Sequence, residues 1–385
     1  MKSASWLLAS LGVLGAALMF ADAGSATSPA RAPMSAIESA SKSATKSILV
    51  MPGPGKGPRA ADRLDRNDDC VACHADVASE WSHSLHRQSF DDPMVQVALD
   101  REHAPGFCRS CHAPEADPRH EPSKRAAAAG VACVTCHLTG SSDEVLASPK
   151  SGVDDRLVPH ALRREAAFAS ADACGGCHEF WFPSDGRVGH ELKMQRTLAE
   201  HERSAFADES CQDCHMVPMR SGGRVHRGHR FTVAGEPATL RAAVTIDASR
   251  PEPGRVVLSL SPRLVGHAFP TGDLFRRIAV EVHAAGEGPA WSDQRLLARH
   301  FAGQRVGAGQ VIKIERDDDR IGIGSGPRVV EFELPAELHD RAIRWSLHHE
   351  QVLEASIGAE HRAEVWDRTE FASGTLSPAQ PAGSR

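Results

Sequence analysis

The stretch Cys133-Val134-Thr135-Cys136-His137 is one of five copies of a CxxCH pattern, which together use all ten cysteines of the 385-residue chain. The other copies lie at 70–74, 108–112, 174–178 and 211–215. CxxCH is the attachment pattern of c-type haem, because two thiols add to the two vinyl groups of one porphyrin and the next imidazole faces the iron. The sequence therefore predicts five covalently attached haem c groups.

Each motif assigns two attachment cysteines and one proximal iron ligand. The attachment residues are Cys70, Cys73, Cys108, Cys111, Cys133, Cys136, Cys174, Cys177, Cys211 and Cys214, and the proximal ligands are His74, His112, His137, His178 and His215. CxxC pairs in an exported protein also form disulfides or bind zinc. Neither alternative explains why a histidine follows the second cysteine in all five copies.

Histidine is the favoured second ligand of each iron, because sixteen histidines remain outside the motifs and only six methionines follow residue 23. Two histidine ligands keep the potential below that of a methionine-ligated haem. The predicted second ligands are His86, His229, His160, His267 and His120. The alternatives are His83 for His86 and His226 for His229, with His103, His190 and His201 comparable to His120. Met216 and Met219 follow the fifth motif too closely and are interpreted as packing residues.

The segment from Asp65 to about Ala234 holds all five motifs and is called the motif segment below. It is too short to build an apolar core around each cofactor, since five predicted haems fall in about 170 residues. We expect the porphyrins to form the core of a mostly helical or irregular domain, with electrons hopping between them. Trp81 is expected to stack on a porphyrin, and Gly175-Gly176 to permit close backbone approach to one.

Residue composition divides the chain into segments, and we expect the whole to be an α+β protein. An apolar stretch ending in Ala21-Asp22-Ala23 predicts a cleaved signal peptide. Alternating apolar residues after Gly235 predict six strands of an antiparallel β-sandwich, and the stretch 347–364 is expected to be helical. The expected segments are a signal peptide at 1–23, a flexible linker at 24–64, the pentahaem domain at 65–235, the sandwich at 236–370 and a tail at 371–385.

The formal charge of −6 argues against a nucleic-acid partner, and no segment after the signal peptide is apolar enough to span a membrane. Haem attachment and the signal peptide predict a periplasmic or cell-surface location. The expected partners are other redox proteins, either donor and acceptor cytochromes or a quinol-linked membrane donor.

The sequence resembles the cytochrome c-554 and hydroxylamine-oxidoreductase-like group of multihaem cytochromes. The matching stretches are 81–86, 130–133, 194–197 with Glu200 and Ser204, and 211–216 leading to His229-Arg230-Phe231. Stretches 266–272, Arg276-Arg277 and Asp319-Arg320-Ile321 resemble a sandwich domain appended to some members. The resemblance implies electron transfer for most members and catalysis for those that keep one open haem.

The chain contains no tyrosine and no CxxCK motif. The resemblance therefore argues against hydroxylamine oxidation and ammonia-forming nitrite reduction, which use those features. The sequence favours an electron carrier without catalytic residues. The alternative is an oxidoreductase that acts on a small nitrogen or sulfur species at one five-coordinate haem.

Overall fold

The computed structural model describes residues 50–101, 105–140, 143–149, 154–181, 192–231, 236–288, 290–306, 310–353 and 362–379. The expected signal peptide and most of the expected linker lie outside these residues. No helix among the described residues is both long and apolar enough to cross a membrane.

Short helices carry the five CxxCH motifs. A helix places residues i and i+3 on the same face, so both thiols of a CxxC pair lie on one side of their helix. Helices this short are marginal alone in water and depend on tertiary contacts. The helices are α1 Arg63–Cys73, α2 Ala75–Ser82, α3 Pro93–Arg101, α4 Pro105–His112, α5 Lys124–Ala129, α6 Cys133–His137, α7 Asp172–His178, α8 Thr197–His201, α9 Cys211–His215 and α10 Pro237–Ala242.

The described residues of the motif segment also form three two-stranded sheets. One is parallel, and the other two are antiparallel. The turn between the last two strands is Gly222-Gly223, whose φ angles of 53° and 79° suit a tight hairpin. The strands are β1 Val145–Ala147, β2 Leu162–Arg164, β3 Glu179–Trp181, β4 Lys193–Arg196, β5 Pro218–Ser221 and β6 Arg224–Arg227.

The buried apolar cluster of the motif segment is small. Among the described residues it comprises Ala129, Ala132, Val134 and Leu138, with Trp81 packed against it. The Trp81 indole N–H donates a hydrogen bond to the Val131 carbonyl at 2.9 Å. This cluster is much smaller than the apolar core of the part of the chain after residue 235, called the strand-rich segment below.

A buried ion pair crosses the motif segment. Arg63 of α1 contacts Glu115 through two hydrogen bonds of 2.6 and 3.1 Å, and it also donates to the Val134 and Leu138 carbonyls at 2.8 and 2.7 Å. The Thr135 hydroxyl donates to Glu115 at 2.9 Å. This network ties α1 to α6.

The second half of the chain consists mainly of antiparallel strands. One sheet has the order β10-β9-β14-β15, another has the order β13-β8-β7, and β11 pairs with β12. All six predicted strands are present, so the α+β class with antiparallel sheets is confirmed. The strands are β7 Val244–Glu252, β8 Arg255–Pro262, β9 Arg276–Ala284, β10 Ser292–Leu297, β11 Arg299–Val306, β12 Gln310–Asp318, β13 Arg328–Glu333, β14 Ile343–Val352 and β15 Val365–Leu376.

One hydrophobic core is shared by the three- and four-stranded sheets. Strand β8 alternates, burying Val256, Leu258 and Leu260, whereas β9 and β14 are buried along most of their length. The core joins these residues to Ile278 and Leu347. Burial at consecutive positions means that both faces of β9 and β14 are covered, whereas β8, which is also central in its sheet, has one covered face.

Two expectations about the C-terminal region are wrong over part of their range. The predicted helix at 347–364 is wrong over 347–352, which belong to β14 and include the buried His348, His349 and Glu350, while 354–361 lie outside the described residues. The predicted tail at 371–385 overlaps β15, which pairs with β14 as far as Leu376. Both regions contain enough polar residues to conceal a strand pattern, and pairing in the sheet overrides that local composition.

Gly130 occupies backbone space that a larger residue would not fit. Its φ of 53° and ψ of −131° suit glycine alone, and an added Cβ would lie 2.5 Å from the carbonyl oxygens of His86 and Arg87. The Val131 amide donates to that same His86 oxygen at 2.8 Å. Gly130 therefore allows the loop before α6 to pack against the residues around His86.

Gly130→Ala is expected to lower the free energy of unfolding by about 1–3 kcal/mol from backbone strain alone, with the Cβ clash adding to the loss. Gly57→Ala is the control, because a Cβ there meets nothing within 4 Å and its change should stay within about 0.5 kcal/mol. Denaturant titration of both variants measures the difference, and equal stability of the two variants contradicts the assigned role of Gly130.

The glycine pair at 175–176 makes room for protein groups. A Cβ on Gly176 would lie 2.5 Å from the Pro52 carbonyl oxygen, and one on Gly175 would lie 2.6 Å from a Leu198 methyl group. The close approach that these glycines permit in the structure is therefore to Pro52 and Leu198.

Candidate functional site

Four of the five motif histidines each lie beside a histidine from elsewhere in the chain. The ring centres of these pairs are separated by 6.2–6.4 Å. The pairs are His74 with His160, His178 with His86, His137 with His229 and His215 with His267. The structure thus brings four of the five predicted second ligands to a motif histidine.

The spacing of these rings matches two imidazoles on opposite sides of one metal ion. A metal–nitrogen bond of about 2 Å on each side, with about 1 Å from each nitrogen to its ring centre, gives ring centres about 6 Å apart. Rings in direct van der Waals contact approach to about 4 Å. The four pairs therefore fit a haem iron with two axial histidines, and the assignment of these residues as ligands remains a prediction.

Backbone carbonyls fix the orientation of several of these rings. The Nδ1 atoms lie within hydrogen-bonding distance of the Leu146 oxygen for His137 at 2.9 Å, the Arg227 oxygen for His229 at 2.7 Å and the Ala268 oxygen for His267 at 2.9 Å. A protonated Nδ1 that donates to a carbonyl leaves Nε2 for a metal, which is common among metal-binding histidines.

The competing histidines use their nitrogens differently. His83 is exposed, with its Nδ1 2.8 Å from the Ser79 oxygen. His226 Nε2 lies 2.9 Å from a Glu80 carboxylate oxygen. His201 has carbonyl partners on both nitrogens, the Gly266 and Glu209 oxygens, each at 2.9 Å. None of these three is placed opposite a motif histidine in the part of the chain that the structure describes.

The placement of His120 does not support its predicted role as an iron ligand. Its side chain is 77% exposed, and its Nε2 lies 3.9 Å from a carboxylate oxygen of Asp117. His103 and His190, the other histidines considered with it, lie outside the described residues. A surface position near a carboxylate is an ordinary environment for histidine.

His112 is the motif histidine without a second imidazole opposite it, within the described residues. Its Nδ1 lies 2.9 Å from the Ser89 oxygen, the same carbonyl anchoring that His137 has. Burial lowers its pKa, while the Ser89 carbonyl and the charges of Asp273 and Asp92 act in the opposite direction. Asp273 belongs to the loop before β9, so the strand-rich segment approaches the second motif.

The His86 and His229 rings are largely surrounded by other groups of the protein. Burial, reinforced by neighbouring histidines such as His178, lowers the pKa of His86 to about 3, and burial lowers the pKa of His229 to about 4. Both side chains nevertheless keep accessible surface.

The motif cysteines are free thiols, and several contact thiols of other motifs. A hydrogen bond to Cys111 raises the pKa of Cys177, and a hydrogen bond to Cys211 raises the pKa of Cys174. The second motif therefore adjoins the fourth, and the fourth adjoins the fifth. Burial, with the nearby charge of Cys70, raises the pKa of Cys133 to about 11, which places the first motif near the third.

Glu80 is a structural residue of the site that the sequence did not single out. One carboxylate oxygen accepts a hydrogen bond from the His229 amide at 2.8 Å, and the other contacts His226. The contact joins α2 to a loop nearly 150 positions later in the chain. The position of Glu80 within the stretch that leads to His86 is the only local hint of this role.

No protein-family profile, curated protein or solved structure matches the chain. The described residues also contain no group of three or more histidine, cysteine, aspartate or glutamate side chains placed to hold a metal ion. A haem iron with two axial ligands takes only two such side chains from the protein.

Proposed function

We propose that the chain is an exported pentahaem c-type cytochrome that transfers electrons between closely packed haems. The observation that carries the proposal is the set of four histidine pairs, each joining a CxxCH histidine to a distant histidine at 6.2–6.4 Å. Helix packing alone gives no reason for this spacing to recur. Bound haem would supply reversible one-electron chemistry at its iron.

The residues of the chain hold, orient and insulate the cofactors in this proposal. The ten motif cysteines form the thioether bonds, and the paired histidines ligate four irons. Contacts between thiols of different motifs support close neighbours, with the fourth motif beside the second and the fifth. Burial of several paired histidines limits the access of water to them, and the carbonyls at Nδ1 of His137, His229 and His267 fix the orientation of these rings.

The proposal extends to the rest of the chain. The two sheets that share one core are proposed to form a β-sandwich appended to the haem domain, as in the c-554-like group that the sequence resembles. Covalent haem attachment supports a periplasmic or cell-surface location. The partners are proposed to be redox proteins, either soluble cytochromes or a quinol-linked donor.

A second candidate function is supported by His112, which has no imidazole opposite it among the described residues. Asp273, whose charge acts on His112, pairs with Arg276 at 3.4 Å, and the charges of both also act on His349. Burial lowers the pKa of His349 to about 4, and the charge of Arg276 lowers it further, while Arg276 also acts on His178. An open haem beside an arginine could bind a small anion, so this candidate is reduction of a small nitrogen or sulfur oxyanion.

Spectroscopy of the purified holoprotein tests both candidates. Intact-mass measurement should show five covalent haems, and electron paramagnetic resonance should show at least four low-spin haems. A fifth low-spin haem that is inert to cyanide and nitrite leaves the carrier proposal standing and removes the second candidate. One high-spin haem that binds these anions supports the second candidate, and fewer than five haems per chain contradicts the proposal.

A further inference from the structure

A buried carboxylate joins α8 to the loop that carries His267. The Glu200 side chain is 2% exposed and accepts hydrogen bonds from the Thr271 hydroxyl at 2.7 Å and the Ala268 amide at 3.3 Å. It also pairs with Arg320, which follows β12. A buried carboxylate needs such partners, because an uncompensated charge in the interior is strongly unfavourable.

Arg320 extends the network to both sides of the loop. It donates to the Pro270 carbonyl at 2.9 Å and pairs with Asp318 at 2.8 Å. Arg196, just before α8, pairs with Asp318 and with Glu315, the latter at 2.8 Å. These charges link the motif segment to the strand-rich segment.

Both peptide groups that flank His267 are held by α8. The Gly266 carbonyl lies 2.9 Å from Nδ1 of His201, and the Ala268 amide donates to Glu200. A Cβ on Gly266 would lie 3.1 Å from His201, so the approach is close. The backbone on either side of His267 is thereby fixed relative to the helix that precedes the fifth motif.

We propose that Glu200 and Arg320 are positioning residues that hold His267 opposite His215, so that the strand-rich segment completes the fifth haem site. This inference rests on the proposed function. His215 and His267 have ring planes within 10° of each other at 6.2 Å. A loop of several residues keeps one imidazole in such a placement only when its backbone is tied down, since each free residue retains conformational entropy.

The network predicts how the fifth site responds when a contact is lost. Thr271→Val removes the hydroxyl that donates a hydrogen bond to the buried Glu200 carboxylate, with little change in side-chain volume. Glu200→Gln removes the negative charge that Arg320 faces. A hydrogen bond to a charged group stabilises the position of the loop. Losing either contact should therefore increase, by about tenfold, the fraction of molecules in which His267 is displaced. One haem of five should then bind added cyanide more readily.

The experiment compares Thr271→Val, Glu200→Gln and His267→Ala in the holoprotein, with Thr245→Val as a control at an exposed strand position. The readouts are the low-spin haem count by electron paramagnetic resonance, the rate of cyanide binding and the potential of each haem. The control should match the unmodified protein. His267→Ala should convert one haem fully from low-spin to high-spin, and the two network variants should convert the same haem in part.

The outcomes separate this inference from the proposed function. If His267→Ala changes one haem while both network variants leave every readout unchanged, the positioning role is overturned and the carrier proposal stands. If His267→Ala changes no haem, His267 is not a ligand and the inference fails. If Glu200→Gln does not fold, Thr271→Val alone decides, because it retains every charge. A protein without covalent haem overturns the proposed function itself.

Discussion

Arg63→Met is expected to lower the free energy of unfolding of the holoprotein by about 3–5 kcal/mol, the typical effect of removing one partner of a buried ion pair. The change would leave the fully buried Glu115 carboxylate with Thr135 as its remaining hydrogen-bond donor among the described residues of α1 and α6. It would also remove the donors to the Val134 and Leu138 carbonyls. Guanidinium chloride titration followed by Soret absorbance and circular dichroism measures the loss.

Arg66→Met is the matched control, because Arg66 lies one turn later on α1. Its partner Asp143 is 92% exposed, and exposed ion pairs contribute about 0–1 kcal/mol. The double variant Arg63→Met with Glu115→Leu should recover part of the loss, since no charge then stays buried alone. Equal losses in the Arg63 and Arg66 variants would show that the buried pair does not stabilise the motif segment.

The CxxCH motifs and the strands with regular alternation were predictable because each depends on neighbours in sequence. Motif helices end at or next to their histidine as the spacing implies, and β8 alternates as its sequence does. Strand β10, with the sequence Ser292-Asp293-Gln294-Arg295-Leu296-Leu297, has no apolar alternation. Its pairing with β9 decides its structure, and pairing partners are not visible in a local pattern.

The helix prediction that is wrong over 347–352 has the same physical origin. His348, His349 and Glu350 look like an exposed polar run, yet β14 buries them in the middle of a sheet. Glu350 tolerates that position because Arg277 of the adjacent strand pairs with it. A compensating charge more than 70 positions away cannot be inferred from the segment itself.

The residues of the candidate site also differ in whether a local sequence pattern predicts them. The motif residues follow from spacing, whereas the choice of His86 over His83 or His229 over His226 depends on which ring the fold turns inward. Glu80, Glu115 and Glu200 were not recognised as structural residues for a related reason. Each has its decisive partner 50 or more positions away, and buried pairs of this kind carry no local sequence pattern.

Arg277→Met is expected to destabilise the strand-rich segment by about 3–5 kcal/mol. Arg277 of β9 faces Glu350 of β14 at 2.7 Å, and the Glu350 side chain is 1% exposed. After the change, Arg368 at 3.5 Å is the cation that remains near this carboxylate. Thermal and denaturant unfolding, both followed by far-ultraviolet circular dichroism, measure the effect.

Arg344→Met on the same sheet is the control, since Arg344 and Glu370 form an exposed pair 3.5 Å apart that should contribute about 0–1 kcal/mol. A loss in the Arg277 variant no larger than in this control would contradict the role of the buried pair. The Arg63 and Arg277 networks share no residue, so the two losses should add within about 0.5 kcal/mol in the double variant if residues 49–385 unfold as one cooperative unit. If the halves unfold separately, Arg63→Met should move only the Soret transition and Arg277→Met only the transition of the sheets, because each change then acts on one folding unit alone.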